Sequence, residues 1–392
     1  MKKIIGQSKK TVFVLSQSFR KFSRSQQFSG VLLIVCTLAS LLLANSEYGD
    51  AWSEVRHLHW GPLNAEFLVN DGLMAFFFLL AGLEIKREFL AGELAGFSRA
   101  ALPVSAALGG MLVPAFIFSL ITQNTPHSNS WGIPMATDIA FSLGILSLLG
   151  SRVPAALKVF LVALAVADDL GAIAVIGLFY TDEFKAVWFF SGMLPILGMY
   201  VLNHKKIKSL PWYFLGGALL WYCLLKSGVH PTITGVVTAF MIPFSKEEEK
   251  SPLHRLEHAL HSPVNFFIMP AFALWNTAVP LSSGGAESLS GTLPLGIILG
   301  LVVGKPLGIF LFSWFAIKLK MGKWPEQCRP VHIAGAGMLG GIGFTMSIFI
   351  TLLSVSEASD IQSAKLAILV ASLMAAIAGL LTLSLAKKEI QN

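Results

Sequence analysis

The sequence predicts an all-α protein that crosses a membrane many times. Of its 392 residues, 54% are hydrophobic and only 13% are charged, whereas about 25% of residues are charged in an ordinary soluble domain. A helix needs about 20 mainly apolar residues to cross a bilayer. Runs of this kind predict about twelve spans, near residues 28–45, 68–90, 101–122, 132–149, 154–180, 186–203, 211–226, 229–244, 263–280, 293–316, 331–354 and 361–386.

The basic residues predict the orientation of these spans. The formal net charge is +7. When the chain is threaded through twelve spans, most Lys and Arg residues fall on one side, while the other side receives Arg56, Lys185 and Lys226. Cytoplasmic loops carry such an excess of basic residues, so both termini are predicted to be cytoplasmic, including the basic segment 1–27. The positive charge follows from topology, and no nucleic-acid partner is expected.

The first apolar run, 28–45, follows a basic segment as the core of a signal peptide does. It leads directly into further spans, however, and is predicted to be a retained helix. The outer loop 46–66 alternates polar and apolar residues and contains Trp52 and Trp60, so it predicts a short hairpin at the membrane surface. The chain has no Ser/Gly-rich linker, and residues 1–392 are interpreted as a single membrane domain.

Spans 4 and 11 have sequences that a regular helix does not favour. Span 4 places Pro134, Thr137 and Asp138 at mid-membrane, and span 11 is rich in glycine from Gly335 to Gly343. Each glycine weakens a helix by about 1 kcal/mol relative to alanine. Non-helical backbone at this depth is tolerated only where protein packs it or where it lines a water-filled cavity. Both spans are therefore predicted to be interrupted, although close packing through small residues would also explain span 11 alone.

Two interrupted spans seven helices apart indicate an internal repeat. Spans 3–5 and spans 10–12 are predicted to be two copies of a three-helix unit with opposite orientations in the membrane. Inverted repeats of this type are common in secondary transporters, where substrate sites lie at the interface between the repeats.

Four ionisable residues are predicted to lie well inside the membrane: Asp138, Asp168, Asp169 and Lys305. Each carboxylate at the centre of a bilayer costs about 3 kcal/mol on insertion scales, so such groups are usually functional. Adjacent helix positions are about 100° apart, which means that Asp168 and Asp169 must face different surroundings. An unpaired buried ammonium either loses its proton or finds a carboxylate, and Lys305 is expected to pair with an aspartate.

This set of groups suits alkali cations and protons. Carboxylate oxygens, the Thr137 hydroxyl and free backbone carbonyls are ligands for hard cations such as Na⁺ or Li⁺. Protons compete with a cation for the same carboxylates, which is the minimum requirement for exchange. The alternative is that Lys305 and one aspartate only hold helices together.

A second set of charged residues is predicted at the cytoplasmic ends of the spans: Glu84, Arg87, Glu257, His258 and His261. Histidine changes its charge between about pH 5 and 8, so such a cluster at an ion entrance could respond to internal pH. These residues could equally be solvated charges at helix ends and in loops. The sequence pattern leaves both interpretations open.

Several motifs give the chain a family resemblance. They are LMAFFFLLAGLEIKRE at 73–88, ATDIAFSLG at 136–144, AVADDLGAIA at 165–174, GKPLG at 304–308 and GGIGFTMSI at 340–348. Over nearly its whole length the chain resembles the NhaA-type bacterial sodium/proton antiporters, which are known inverted-repeat transporters. The resemblance implies a bacterial inner-membrane antiporter, and not an enzyme, that exports Na⁺ or Li⁺ while two protons enter for each cation. It implies no cofactor, and only membrane lipids and a second copy of the chain as partners.

The resemblance also implies roles for individual residues. Extended segments of spans 4 and 11 are expected to cross near the bilayer centre. Asp169 is expected to be the principal ion-binding carboxylate, and Asp168 the partner of Lys305 and a proton carrier. Asp138, near Thr137, is expected to compensate the N-termini of half-helices. The cluster Glu84, Arg87, Glu257, His258 and His261 corresponds to the family's pH-responsive residues, and the hairpin at 46–66 to its homodimer interface.

Two other functions are less compatible with the residues. An intramembrane aspartyl protease needs two carboxylates that share a proton. Asp138 and Asp169 could supply them, but the Gly-x-Gly-Asp motif of such proteases is absent and Lys305 would have no role. A passive cation channel is expected to use a ring of like residues from symmetric subunits, not a single lysine opposite an asymmetric aspartate pair.

The sequence departs from the family pattern at 274–278 and at His230-Pro231. These departures leave the pH set point of transport open.

Overall fold

The structure, a computed structural model, describes residues 28–60, 63–181, 183–247, 251–281 and 289–386. The predicted cytoplasmic segment 1–27 lies outside these residues. The first half of the chain forms α1 (Phe28–Ala44), α2 (Gly49–Arg56), α3 (Ala65–Phe67), α4 (Met74–Ala91), α5 (Phe97–Ile121), α6 (Ile139–Leu148), α7 (Ala155–Phe179), α8 (Ala186–Ser191) and α9 (Met193–His204).

The second half is also helical. It forms α10 (Leu210–Ser227), α11 (Ile233–Met241), α12 (Pro252–Pro263), α13 (Met269–Asn276), α14 (Thr292–Leu299), α15 (Lys305–Lys318), α16 (Pro330–Gly340), α17 (Phe344–Ser354) and α18 (Ala358–Leu385). Three π-helical segments join consecutive helices: Leu68–Leu73 before α4, Val264–Ile268 before α13 and Gly300–Gly304 before α15. Short 3₁₀ turns occur at Glu93–Ala95, Ser128–Ser130, Ile133–Met135 and Gly150–Arg152.

The protein is an all-α membrane protein with one small β element among its described residues. Strands β1 (His59–Trp60) and β2 (Leu63–Asn64) pair antiparallel, with His59 opposite Asn64, inside the segment 46–66. Seven of the described helical segments are long and apolar enough to cross a membrane, or up to nine if each bent pair of helices is one span. Several predicted spans contain shorter helices, such as the nine-residue α11, and the count of twelve spans stays a prediction.

Small residues bring α5 and α15 into backbone contact. A Cβ atom on Gly109 would lie 2.2 Å from the carbonyl oxygen of Gly308, so only glycine allows this approach. Close packing through small residues is how membrane helices gain contact area without a hydrophobic driving force. This contact fixes α15, and with it Lys305, against the centre of the molecule.

The two helices α8 and α9 lie at the periphery. Only 11% of the apolar window in Ala186–His204 is buried, compared with 67% in Ala155–Phe179, which contains α7. Leu194 and Val187 are 74% and 81% exposed. An apolar surface of this kind is suited to lipid, whereas α7 is enclosed by protein on most sides and can carry polar groups.

Candidate functional site

The site is built where two interrupted spans touch. In the first span, residues 136–138 separate the 3₁₀ turn Ile133–Met135 from α6, and both Ala136 and Asp138 have extended dihedrals. In the second, residues 341–343 separate α16 from α17, which are bent by 46° relative to each other. Sequence and resemblance predicted these two positions as breaks.

The second break differs in shape from the extended segment that the resemblance implies. Gly341 has φ −70° and ψ −3°, and Gly343 has φ −85° and ψ −29°. Both residues keep right-handed helical dihedrals. The glycines are required by close approach: a Cβ on Gly341 would lie 2.4 Å from the carbonyl oxygen of Leu301. The second break is therefore a tight bend packed against the segment that precedes Lys305.

Each break satisfies the free backbone groups of the other. The Asp138 amide donates to the Ile342 carbonyl at 2.7 Å, and the Thr137 hydroxyl donates to the Gly340 carbonyl at 2.9 Å. In the opposite direction, the Ser347 hydroxyl donates to the Ile133 carbonyl at 2.8 Å. A buried backbone group without a partner is costly, so these cross-bonds stabilise irregular backbone inside the protein.

Asp138 lies at the N-termini of two helices. Its Oδ1 accepts from the Phe141 amide at 2.9 Å and caps α6. Its Oδ2 accepts from the Thr345 amide at 3.2 Å and from the Thr345 hydroxyl, at the start of α17. Helix N-termini carry partial positive charge and favour a carboxylate. Asp138 is 1% exposed, and these interactions stabilise its charged form.

Lys305 is a buried positive charge held by acceptor groups, whereas Asp138 is a buried carboxylate held by donors. It begins α15 and is fully buried. Its ammonium donates to Asp168 Oδ2 at 2.7 Å and to the backbone carbonyl of Met135, at the C-terminal end of a 3₁₀ turn. Because helix C-termini carry partial negative charge, one ammonium compensates both a carboxylate and a helix end. The lysine–aspartate pairing predicted from the cost of an isolated charge is present between Lys305 and Asp168.

Asp168 keeps one acceptor free. Its Oδ1 is buried and has no hydrogen-bond partner among the described residues. The Thr137 hydroxyl lies close enough to interact with this carboxylate, but its proton goes to Gly340, so we assign it no hydrogen bond to Asp168. Asp168 is therefore held through Oδ2 alone, and its Oδ1 is a buried acceptor with no partner in the described part of the chain.

Asp169 faces a cavity of 290 Å³ that Asp168 does not line. The neighbouring aspartates thus have different surroundings, as helix geometry requires. Asp169 is 5% exposed. Thr137 and Asp138 line the same cavity, so a cation beside Asp169 would meet carboxylate and hydroxyl oxygens together.

The charged residues predicted at the cytoplasmic ends line the same cavity: Glu84, Arg87, Glu257, His258 and His261. Arg87 Nε lies 3.0 Å from Glu257 Oε1, which connects α4 to α12. Its Nη1 lies 2.7 Å from Glu88 Oε1. The structure places this cluster, Asp138 and Asp169 around one cavity.

Two polar features escaped the sequence interpretation. Glu88, at the charged end of α4, is only 6% exposed, because it binds Arg87 and accepts from the Glu93 amide at 2.9 Å. Asp71 Oδ1 lies 3.4 Å from His230 Nε2. Pairs between residues so far apart in sequence leave no local signal.

Within the described ranges, no group of three His, Cys, Asp or Glu side chains is placed to hold a metal ion.

Comparisons with known proteins agree with this architecture. The model of the family described as Na⁺/H⁺ antiporter 1 matches residues 20–383. A protein named Na(+)/H(+) antiporter NhaA from Dechloromonas aromatica is 53% identical over 374 residues, which cover 94% of this chain and 96% of the relative. A protein of the same name from Vibrio alginolyticus is 46% identical over 380 residues, covering 95% and 99%.

A solved structure gives the same result at the level of fold. The sodium proton antiporter MjNhaP1 from Methanocaldococcus jannaschii superposes with a TM-score of 0.50 at 16% identity, covering 94% of this chain and 99% of that one. At this identity the likeness concerns the arrangement of helices alone.

Proposed function

The chain belongs to the Na⁺/H⁺ antiporter 1 family, and from that premise we propose that it exports Na⁺ or Li⁺ in exchange for protons that enter the cell. The observation that carries this proposal is the contrast between two adjacent carboxylates. Asp169 faces the cavity, whereas Asp168 is bound to Lys305. A cation arriving through the cavity is proposed to bind Asp169 first, with the unpartnered Oδ1 of the adjacent Asp168 as a further ligand.

The exchange follows from competition for the same oxygens. A cation bound by Asp169, with oxygens of Thr137 and Asp168, removes any proton from the carboxylates because the two positive charges repel. The charge of the bound cation also repels the Lys305 ammonium and so weakens the Lys305–Asp168 pair. A second proton then leaves from this pair, through either partner. Two protons for one cation make the exchange electrogenic, as the family resemblance implies.

The two breaks, which are hydrogen-bonded to each other, are proposed to move when the ion site changes the side of the membrane to which it is open. Alternating access in inverted-repeat transporters is largely the movement of one bundle against another around a fixed site. Thr137 and Asp138 of one break are bonded to Gly340 and Ile342, at the end of α16 and in the other break, so a movement of either break reorients ligands at the proposed site. We assign the cavity beside Asp169 to the inward-facing state, since its lining includes the charged residues expected at the cytoplasmic surface.

The cluster at the cavity entrance is proposed to adjust transport to internal pH. It joins α4 and α12 through the Arg87–Glu257 pair. A change in its charge alters the potential that an incoming cation experiences and the strength of the contact between the two helices. The residues with this proposed role are Glu84, Arg87, Glu257, His258 and His261.

The remaining assignments complete the proposal. The protein lies in the bacterial inner membrane as one multi-pass domain with both termini in the cytoplasm, and it needs no cofactor. The hairpin β1–β2 within 46–66 is proposed to lie in the periplasm and to join two copies into a homodimer. His59 in this hairpin is exposed, which leaves the strand pair accessible to a partner.

Transport in vesicles tests the central claim. Acidic-inside vesicles that contain the protein should lose their pH gradient when Na⁺ or Li⁺ is added outside. Asp169→Asn should reduce this response to that of protein-free vesicles, because it removes the charge that the cation meets first. The exposed Asp50→Asn on α2 is the matched control and should respond like the wild type. An undiminished response in Asp169→Asn would contradict the proposal. Sodium flux that moves no protons would instead favour a channel.

A further inference from the structure

A second cavity lies on the other side of α4 from the ion site. Its volume is 310 Å³, at the lower end of the range of small-molecule sites, about 300–1,000 Å³, and about twice the ~150 Å³ of an apolar cavity that takes up benzene. Ala75 and Leu79 of α4 line it, while Phe77, Ala81 and Glu84 of the same helix line the ion-site cavity. One helix therefore separates the two spaces.

The walls of this second cavity are almost entirely apolar. Phe76 of α4 faces Phe214 and Trp221 of α10, and α11 closes the third side. No charged side chain occurs among the residues that line it. Phe76 and Phe214 are 42% and 38% exposed, so the cavity opens sideways between apolar helices towards lipid. An occupant would have to arrive from the membrane and carry no charge.

Two hydroxyl groups on α11 interrupt the apolar wall. Thr234 and Thr238 line the cavity four residues apart, and this spacing places them on one face of the helix. Each residue is only 4% exposed, and neither Oγ1 has a hydrogen-bond partner in the described part of the chain. A buried hydroxyl without a partner is unfavourable.

Other helical threonines in this protein satisfy their hydroxyls locally. Thr37, Thr122 and Thr351 each donate to the carbonyl four residues earlier, at 2.8, 3.0 and 2.8 Å. Thr234 and Thr238 do not use this bond. Each hydroxyl therefore keeps an unused donor, among the described residues, in a side chain that lines the cavity.

We propose that the space between α4, α10 and α11 binds an uncharged, membrane-dissolved amphiphile whose hydroxyl or carbonyl oxygen bonds Thr234 and Thr238 and whose apolar body fills the rest. The aromatic walls and the absence of lining charges select an apolar body. The hydroxyl pair selects an oxygen-bearing one over a plain hydrocarbon. The site does not depend on the proposed ion exchange, since it shares no lining residue with the ion-site cavity.

Photolabelling of the full-length protein in lipid nanodiscs tests this site. The probe is an octanol that carries a diazirine on its chain, and the comparison probe is the same chain without the hydroxyl. Mass spectrometry should locate the octanol label on α4, α10 or α11 at the cavity. In the wild type, octanol should suppress the label at a concentration about fivefold lower than octane does, because only octanol offers a hydrogen-bonding group.

Variants separate the hydroxyl contribution from the apolar one. Thr234→Val with Thr238→Val should reduce octanol labelling by about fivefold, the factor for a net hydrogen bond of about 1 kcal/mol. Ala218→Leu, which places bulk at the cavity, should reduce labelling by both probes. Thr37→Val is the control and should label like the wild type. Equal labelling by both probes, with equal suppression by octanol and octane, would overturn the proposal and identify a lipid-filled groove.

Discussion

At the scale of single residues, two buried charges at the site are each balanced by groups of opposite charge or partial charge. Asp138 faces the N-termini of α6 and α17, and Lys305 faces Asp168 and a helix C-terminal end. The local charge is thus balanced without using Asp169. Asp169 is the carboxylate left over, and this supports the proposal that it is the residue to which a cation binds.

The Lys305–Asp168 pair gives a test at this scale. Either Asp168→Asn or Lys305→Gln leaves a buried charge without its partner, and we expect each to lower the free energy of unfolding by about 3–5 kcal/mol. The double substitution removes both charges and should recover most of the loss. Reversible unfolding in detergent measures the coupling between the two changes.

A more exposed pair serves as the control. His127 and Asp360 lie 3.6 Å apart with 19% and 35% of their side chains exposed. Asp360→Asn should cost less than about 1 kcal/mol, since exposed pairs contribute little. If the losses from Asp168→Asn and Lys305→Gln simply add in the double variant, the two side chains are not coupled.

The sequence predicts these residues unevenly. A lysine and three aspartates inside apolar runs are visible because isolated charges in a membrane are costly, and their pairing follows from the same cost. The buried Glu88 was missed because it lies among ordinary helix-end charges. The Asp71–His230 pair joins segments that only the folded chain brings together.

At the scale of elements, two ionisable residues lie within or beside irregular helix segments. Asp71 lies within the π-helical segment Leu68–Leu73, and Lys305 directly follows Gly300–Gly304. Such segments are rare and occur frequently at functional sites. Hydrophobic runs predict the spans that contain them, but the π turns have no recognisable signature. The bend at 341–343 was predicted as a break from its glycines, while its helical dihedrals depend on packing against Leu301.

Gly341 tests whether this packing is required. In Gly341→Ala the new Cβ would lie 2.4 Å from the Leu301 carbonyl, and one backbone segment must move. We expect a loss of about 1–3 kcal/mol in stability, as for overpacked cores, together with slower exchange because the displaced segment leads into Lys305. Thermal unfolding and vesicle transport measure the two effects.

Gly198 provides the matched control. It lies in α9, and a Cβ there would meet nothing within 4 Å. Gly198→Ala should raise stability by up to about 1 kcal/mol through helix propensity and leave exchange unchanged. Equal behaviour of the two variants would show that the close approach at Gly341 has no structural role.

At the scale of the whole molecule, one cavity connects the interrupted spans to the end of α4 and to α12. Its lining includes the charged residues Glu84, Arg87, Glu257, His258 and His261. Sequence analysis identified these residues individually and left open whether they were solvated loop charges. Only the tertiary arrangement of α4, α7 and α12 around one cavity makes them neighbours of Asp169.

His261 gives a pH-dependent prediction at this scale. Burial, and secondarily the adjacent His258, lower the pKa of His261 below its ordinary value of about 6.5. The unfolded chain therefore binds more protons than the folded chain as the pH falls through 6.5. Stability should decrease over this range and reach a plateau above it.

Thermal unfolding between about pH 8 and about pH 5 measures this effect, across the range in which histidine titrates. His261→Gln removes the titrating group and should reduce the acid-induced fall in melting temperature. The exposed His59→Gln should retain the fall seen in the wild type. A fall in His261→Gln as large as in the wild type would exclude this histidine as a source of the pH dependence.

The reciprocal bonding of the two breaks constrains how this chain can evolve. Inserting or deleting one residue in 136–138 would displace Thr137 and Asp138 from the carbonyls of Gly340 and Ile342, and a change of length in 341–343 would have the same effect. If one segment alone changed its length, buried polar groups would lose their hydrogen-bond partners. Sequence drift in this lineage must therefore preserve both lengths or alter them together, as paired parts of one joint.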